Sequence, residues 1–377
     1  MLDKLPPEIC AHIFDLACRD SAGTGRSLSL VSRYIHETSE LARYTSITLV
    51  GCAQVVGFAQ FAEHTHIELK TRHLFINTQE SEEELQRVVL ATNARLRLAE
   101  LKYEILVLEG DVRFSAPSPE KLQDAKDAIA LESAKVDALL GTEVAIAVET
   151  ILRRLGPTLE ILDIAVNEYV AKMLLNPISL PHLVDLTTRC GFPLRRGSVP
   201  ALEPTPSLRY LHIVDTTLQW HRAEQFYENG ISYFAPSLTH LRLSELYEDE
   251  VVITHLERAL GLVPSNKYSL KATQLPPTIE RVLLKPIVAP SYDEDGCPCC
   301  DETRGYRNLV KFARRLRDKD HRVVLLNADR IPPAEDLYLQ EWRNKADGAA
   351  CDWDTSDLDL ESSQVARSGS MQLWPFF

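Results

Sequence analysis

The chain has 377 residues, of which 45% are hydrophobic, and this is enough to bury a sizeable core. A formal net charge of −13 argues against proteins that bind nucleic acids or anionic membranes. Asp3, Lys4 and Glu8 fall where a signal peptide needs an apolar run, and no apolar stretch is long enough to cross a bilayer. Most of the eight cysteines are isolated, which is typical of reduced thiols. We therefore expect a cytoplasmic or nuclear protein without a membrane segment.

The first forty residues predict two short amphipathic helices. Pro6 and Pro7 suit the first turn of a helix, and Glu8 adds negative charge at the positive end of its dipole. Apolar residues then recur at helical spacing, at Leu5, Ile9, Ile13 and Leu16 in the first helix and at Leu28, Val31, Ile35 and either Leu41 or Ala42 in the second. The segment 20–25 is rich in residues that break helices, and Ser27 is a candidate N-cap for the second helix.

The pattern Leu5-Pro6-x-Glu8-Ile9 followed by Ile13-Phe14, and then Leu28-x-x-Val31-Ser32-Arg33, resembles the F-box family. The resemblance implies a small helical module over residues 1–45. It also implies a Skp-type adaptor and a cullin complex as partners, because F-box proteins dock on that adaptor in cullin-RING ubiquitin ligases. Adaptor-binding residues would be Leu5, Pro6, Ile9, Ile13, Phe14, Leu28, Val31 and Ile35. The sequence departs from the family at Ile35, where a large aromatic residue is usual.

A leucine-rich unit recurs from residue 46 to residue 346. Its last five copies begin at Leu159, Leu183, Leu208, Leu238 and Ile279, which are separated by 24, 25, 30 and 41 residues, and an earlier copy lies near Leu74. A proline turn precedes each of the five. The pattern predicts an α/β fold: an irregular solenoid of βα units, similar to degenerate leucine-rich repeats, with a parallel sheet. An ordinary open α/β domain is the alternative.

Helices are predicted between the strands. They cover residues 81–97, 119–140, 143–155, 220–229, 250–262 and 305–319. Residues 91–155 depart from the repeat and are interpreted as a helical insertion, with a strand over 101–108. A final strand is predicted over 321–327, and a last helix over 333–345 should cover the open edge of the sheet. The acidic tail, residues 347–377, has the composition of a disordered segment.

In a solenoid of this kind, the polar positions of the strands line one face together. Those positions are Glu160, Asp163, Asp185, Arg209, His212, Thr239, Arg242, Glu280 and Arg281. Arg209, His212, Arg242 and Arg281 are the predicted binding residues for an unknown protein target. We expect reversal of the three arginine charges to leave folding nearly unchanged, since exposed charges contribute little.

Chemistry is suggested only at Cys297-x-x-Cys300, a spacing found in zinc sites, but a closed site needs four ligands and no second pair exists. The stretch is better explained as an exposed acidic loop. No phosphate-binding loop, G-x-S-x-G or H-E-x-x-H motif is present. The sequence therefore predicts a protein that is not an enzyme and has no catalytic residues, metal or cofactor. A scaffold that works without a ligase, or a metal-binding protein that uses Cys297 and Cys300, are the alternatives.

Overall fold

A computed structural model describes residues 5–18, 23–78, 119–166, 178–189, 203–214, 231–246, 250–263, 274–287, 301–327 and 335–348, together with Leu101, Val170, Leu174 and Trp353. Several predicted segments lie outside these residues: helices 81–97 and 220–229, nearly all of the strand 101–108, the loop with Cys297 and Cys300, and most of the tail.

The N-terminal region contains α1 (Pro7–Ala17), α2 (Gly23–Leu28), α3 (Arg33–Thr38) and a 3-10 helix at Ala42–Tyr44. The predicted second helix is broken, because Ser32 is extended and its side chain accepts a hydrogen bond from the Ile35 N–H at 3.2 Å. Ser32, and not Ser27, is therefore the N-cap of α3. These helices share a small core of their own, made of Cys10, Phe14, Cys18, Ile35 and Ala42.

The rest of the described chain contains eight strands, several α-helices and a 3-10 helix at Gly156–Thr158. The strands are β1 (Ser46–Val50), β2 (His73–Asn77), β3 (Ile161–Ala165), β4 (Asp185–Arg189), β5 (Tyr210–Val214), β6 (His240–Leu246), β7 (Arg281–Pro286) and β8 (Val323–Leu325). The helices are α4 (Cys52–His64), α5 (Pro119–Leu155), α6 (Ile231–Phe234), α7 (Glu250–Ala259), α8 (Asp301–Lys319) and α9 (Glu335–Ala346).

All eight strands form one parallel sheet, and their order in the sheet follows their order in the chain. The prediction of a mixed α/β fold with a parallel sheet is confirmed. Two predicted helices, 119–140 and 143–155, are a single helix, α5. Strand β1 and helix α4 were not predicted, because the segment Ser46–Val50 lacks the leucine spacing of the other units.

The same turn precedes five of the strands. The first leucine or isoleucine of each unit donates its N–H to the carbonyl three residues earlier, at Leu159, Leu183, Leu208, Leu238 and Ile279. All five side chains are buried. Hydroxyl groups link some neighbouring turns: Ser207 Oγ donates to the Pro181 carbonyl at 2.8 Å, and Thr278 Oγ1 to the Leu238 carbonyl at 2.7 Å. The proline turns predicted from the sequence thus occupy equivalent places in the structure, each just before a strand.

The two faces of the sheet differ in chemistry. On one face, apolar strand residues such as Leu162 and Ile164 pack with α4, α5, α7 and α8 in one hydrophobic core. Side chains alternate along a strand, so Phe75, Asp163 and His212 point to the opposite face. We call this opposite side, which carries residues 75, 163, 185, 187, 189, 210, 212, 240, 242 and 244, the polar face.

Helix α9 lies across the polar face. It contacts β2 and β3, and Trp342 packs against Phe75 with ring centroids 5.8 Å apart. The prediction that the last helix covers the open edge was wrong. Instead, Lys345 pairs with Asp185 of β4, and Trp342 packs against Phe75 of β2.

Candidate interaction surfaces

The N-terminal helices expose a set of large apolar side chains. Leu5, Ile9, Ile13, Leu16, Leu30 and Val31 have exposed fractions between 37 and 82%. Ile9, Ile13 and Leu16 lie along one side of α1, and Leu5 lies two residues before the helix begins. Tyr34 donates a hydrogen bond to the Leu5 carbonyl at 2.6 Å, which holds the start of α3 beside the start of α1. Exposed apolar patches of this kind are typical of protein interfaces.

The predicted adaptor-binding residues divide into two groups. Leu5, Pro6, Ile9, Ile13 and Val31 are exposed. Phe14 and Ile35 lie inside the small core, and Leu28 is half-buried against it. Helix α1 is apolar on both sides, with Cys10 and Phe14 facing inward, so Phe14 and Ile35 support the exposed surface rather than form it.

The predicted target-binding residues also differ in exposure. His212 and Arg242 are buried, Arg281 is half-buried and Arg209 is exposed. Arg209 precedes β5, at the edge where that strand begins. Asp163, Thr187, His212 and Arg242 occupy matching register positions on β3 to β6 and form one row across the polar face. His212, Arg242 and Arg281 lie within strands as predicted, whereas Arg209 does not. The expectation that all of these residues are exposed was wrong, because helix α9 and Trp353 pack on the row.

Two buried ion pairs organise the polar face. Arg189 donates to Asp163 Oδ1 at 2.6 Å. Lys345 of α9 donates to Asp185 Oδ1 at 2.8 Å and to Thr187 Oγ1 at 2.9 Å. All four charged side chains are about 90% buried or more. The Arg189 guanidinium also stacks on Tyr338 of α9, at 4.4 Å from the ring centroid.

Burial and charge shift the pKa values of two groups in the row. Burial raises the pKa of Asp163 to about 6, although the neighbouring Arg189 and Lys345 act in the opposite direction. Burial, and then the charge of Arg242, lowers the pKa of His212 well below its ordinary value. His212 is therefore neutral at pH 7, and its Nε2 lies 2.8 Å from Ser244 Oγ.

A bulge in β6 provides another contact for α9. The register with β7 shifts between Ser244 and Leu246, and Glu245 between them has a φ of +56°. Its carboxylate accepts a hydrogen bond from the Tyr338 hydroxyl. Burial, and then this hydrogen bond, raises the pKa of Tyr338. Positive φ is uncommon for a residue other than glycine, and bulges often redirect a side chain.

Trp353 extends the covered area beyond α9. Its ring lies 5.5 Å from that of Tyr210, 6.2 Å from that of His212 and 6.0 Å from that of His240, measured between centroids. It also packs with Leu283 and Leu326 in a separate apolar cluster. Neither Trp342 nor Trp353 was predicted to contact the sheet. The signal was present, since three of the four tryptophans of the chain lie in the stretch that was expected to form an end cap and a disordered tail.

Among the described residues, no group of three or more His, Cys, Asp or Glu side chains is arranged to hold a metal ion. Within the same ranges, no helix combines the length and the apolar character needed to cross a membrane. Comparisons of the chain with protein-family models, with curated proteins and with solved structures found no match.

Proposed function

We propose that this protein is a substrate-recognition subunit of a cullin-RING ubiquitin ligase. In this proposal residues 1–45 form an F-box-like module that docks on a Skp-type adaptor. Residues 46–346 form an irregular leucine-rich-repeat-like solenoid that binds the target. The observation that carries the proposal is the set of large apolar side chains on the outside of the N-terminal helices, together with the F-box pattern that contains most of them.

The apolar surface has the chemistry of a docking site. The helices already have a core in Cys10, Phe14, Cys18, Ile35 and Ala42, so the exposed Ile9, Ile13 and Val31 are not needed to hold them together. Leaving several large apolar side chains in water is unfavourable by about 25 cal/mol for each Å². A partner that covers them removes this cost. Ile35 is buried in the internal core, so the exposed apolar surface does not depend on an aromatic residue at that position.

The sheet supports the second half of the proposal. Strand order that follows chain order, with an equivalent turn before five strands, is the arrangement expected of stacked βα units. Such units carry their variable polar residues on a shared face, here the polar face. An open α/β domain of the doubly wound type would instead reverse its strand order at some point in the sheet.

The test is capture of a purified Skp-type adaptor by the full chain. Ile9→Asp combined with Val31→Asp should abolish capture, because each places an unpaired charge in an apolar contact. Both residues are at least half exposed, so the double variant should fold. Ile146→Asp is the matched control, since Ile146 is 63% exposed on α5. If the wild-type chain fails to bind at micromolar concentration, the ligase proposal is wrong.

A further inference from the structure

The polar face has the composition of a protein surface, although it is covered. Asp163, Asp185, Arg189, His212 and Arg242 are all less than 10% exposed. The opposite face of the same strands consists of leucine and isoleucine, with Thr188 as the one exception on β3 to β6. Charged residues are rarely buried in a permanent core, whereas surfaces that bind and release a partner are commonly polar.

The segment that covers this face fits it incompletely. Two buried side-chain nitrogens at the contact have no hydrogen-bond partner among the described residues: Arg189 Nε and Trp342 Nε1. A buried polar atom without a partner is costly, and native interiors contain few of them. The covered state therefore contains unsatisfied groups that solvent or a better-matched partner could satisfy.

The contacts are spread along the segment. Tyr338 reaches the bulge in β6, Trp342 packs on β2, Lys345 pairs with β4, and Trp353 lies on β5 and β6. Helix α9 and Trp353 thus present three aromatic side chains and one lysine, and the lysine follows Trp342 by three residues. On a helix, positions three residues apart lie on the same side, so Trp342 and Lys345 meet the sheet together.

We propose that the polar face is a recognition surface for a helical segment that carries an aromatic residue and, one turn later, a lysine, and that helix α9 together with Trp353 is its resident occupant. A target of this chemistry binds by displacing the C-terminal segment. The inference deepens the proposed function, because it names the kind of target and rests on the βα array as the target-binding part.

The first test uses hydrogen exchange of the full chain. Lys345→Glu places a carboxylate against Asp185 and should release the segment. Amides of α9 should then exchange at least tenfold faster, while β2 to β7 keep their protection and report that the sheet is intact. The charge swap Asp185→Lys with Lys345→Glu should restore slow exchange in α9. If the helix and the strands lose protection together, or if α9 in Lys345→Glu exchanges as in the wild type, the proposal is overturned.

The second test adds a fluorescent synthetic peptide of residues 335–353 and measures its anisotropy. The peptide should bind the Lys345→Glu chain at least tenfold more tightly than the wild-type chain, whose face is occupied. It should not bind the charge-swapped chain, because the lysine introduced by Asp185→Lys would repel the lysine of the peptide. Peptides with Trp342→Ala or Lys345→Ala should bind the Lys345→Glu chain at least tenfold more weakly. Equal binding by all peptides would overturn the stated specificity.

The two proposals fail in different assays. The exchange and anisotropy measurements contain no adaptor, and adaptor capture does not involve the polar face. If the chain binds the peptide as expected but does not capture the adaptor, the ligase proposal is rejected and the recognition surface is retained. If the chain captures the adaptor but does not bind the peptide as expected, the recognition surface is rejected and the ligase proposal is retained.

Discussion

Lys345 and Asp185 are 160 residues apart in the chain, yet Lys345 Nζ donates to Asp185 Oδ1 at 2.8 Å, and both side chains are about 90% buried. This contact joins the last described helix to the middle of the sheet. It is one reason why polar strand residues that a sequence pattern places on a surface are covered in the folded chain.

We expect the two sides of α1 to respond differently to truncation. Phe14→Ala should lower the free energy of unfolding of the N-terminal helices by about 3 kcal/mol or more, because Phe14 is the largest member of a small core. Ile13→Ala, one residue away and 42% exposed, should cost less than about 1 kcal/mol. Both losses in the free energy of unfolding are measured by urea unfolding, with hydrogen exchange of the α1 amides as the probe. Similar losses for the two variants would contradict the assignment of the inner and outer sides.

The arginines of the predicted target-binding set should differ in their effect on folding. Arg242 is buried and its Nε donates to Ser244 Oγ at 3.2 Å, so Arg242→Ala should cost about 2 kcal/mol through lost packing and hydrogen bonding. Arg209→Ala is the exposed control and should stay within about 0.5 kcal/mol of the wild type. Chemical denaturation gives both values. The triple charge reversal suggested by the sequence is therefore not neutral for folding, whereas Arg209 alone is a clean probe of binding.

His212 should make stability depend on pH. Its pKa is lowered in the folded chain, so below about pH 6.5 the unfolded chain takes up a proton that the native chain does not. The contribution of neutral His212 to the free energy of unfolding is thus present above about pH 6.5 and is lost as the pH falls. Between pH 6.5 and 5.5 the wild type should lose roughly 1 kcal/mol more than His212→Gln, which can keep a polar contact to Ser244.

The charges that face His212 are Arg242, Lys345, Arg189 and Lys285. Asp163, with a pKa of about 6, titrates in the same range with the opposite sign, because its protonated form is favoured in the folded chain. This contribution is common to both proteins and cancels in the difference to a first approximation. If the free energy of unfolding changes with pH to the same extent in the wild type and in His212→Gln, His212 is not buried as described.

Gly156 should not tolerate a side chain. A Cβ atom at this position would lie 2.6 Å from the Ser179 carbonyl oxygen, so the neighbouring turn would have to move. We expect Gly156→Ala to cost about 2 kcal/mol. Gly57 is the control, because a Cβ there meets nothing within 4 Å and Gly57→Ala should add up to about 1 kcal/mol to helix stability. Thermal unfolding of the two variants tests the pair, and equal melting temperatures would contradict the close packing of adjacent turns.

Local patterns in the sequence predicted most of the fold, whereas nonlocal contacts did not follow from them. The Leu159, Leu183 and Leu208 spacing identifies the turns and strands, because each unit repeats the same local geometry. Periodicity could not say which side of α1 faces inward, since Phe14 and Ile13 are both apolar. Nor could the pattern reveal that Lys345 lies on β4, because that contact depends on how the whole sheet is assembled.

The position of α9 at the end of the described chain also sets a time order during synthesis. Each strand pairs with one made before it, so the sheet can grow strand by strand behind the ribosome. Lys345 is made 160 residues after Asp185, which at about 5–20 residues per second is a delay of roughly 8–32 s. Throughout that interval the nascent chain lacks its own occupant of the polar face. We therefore expect chaperones and partners to encounter an uncovered sheet first, and a ribosome-bound chain stalled after Leu326 should capture the 335–353 peptide that the finished protein excludes.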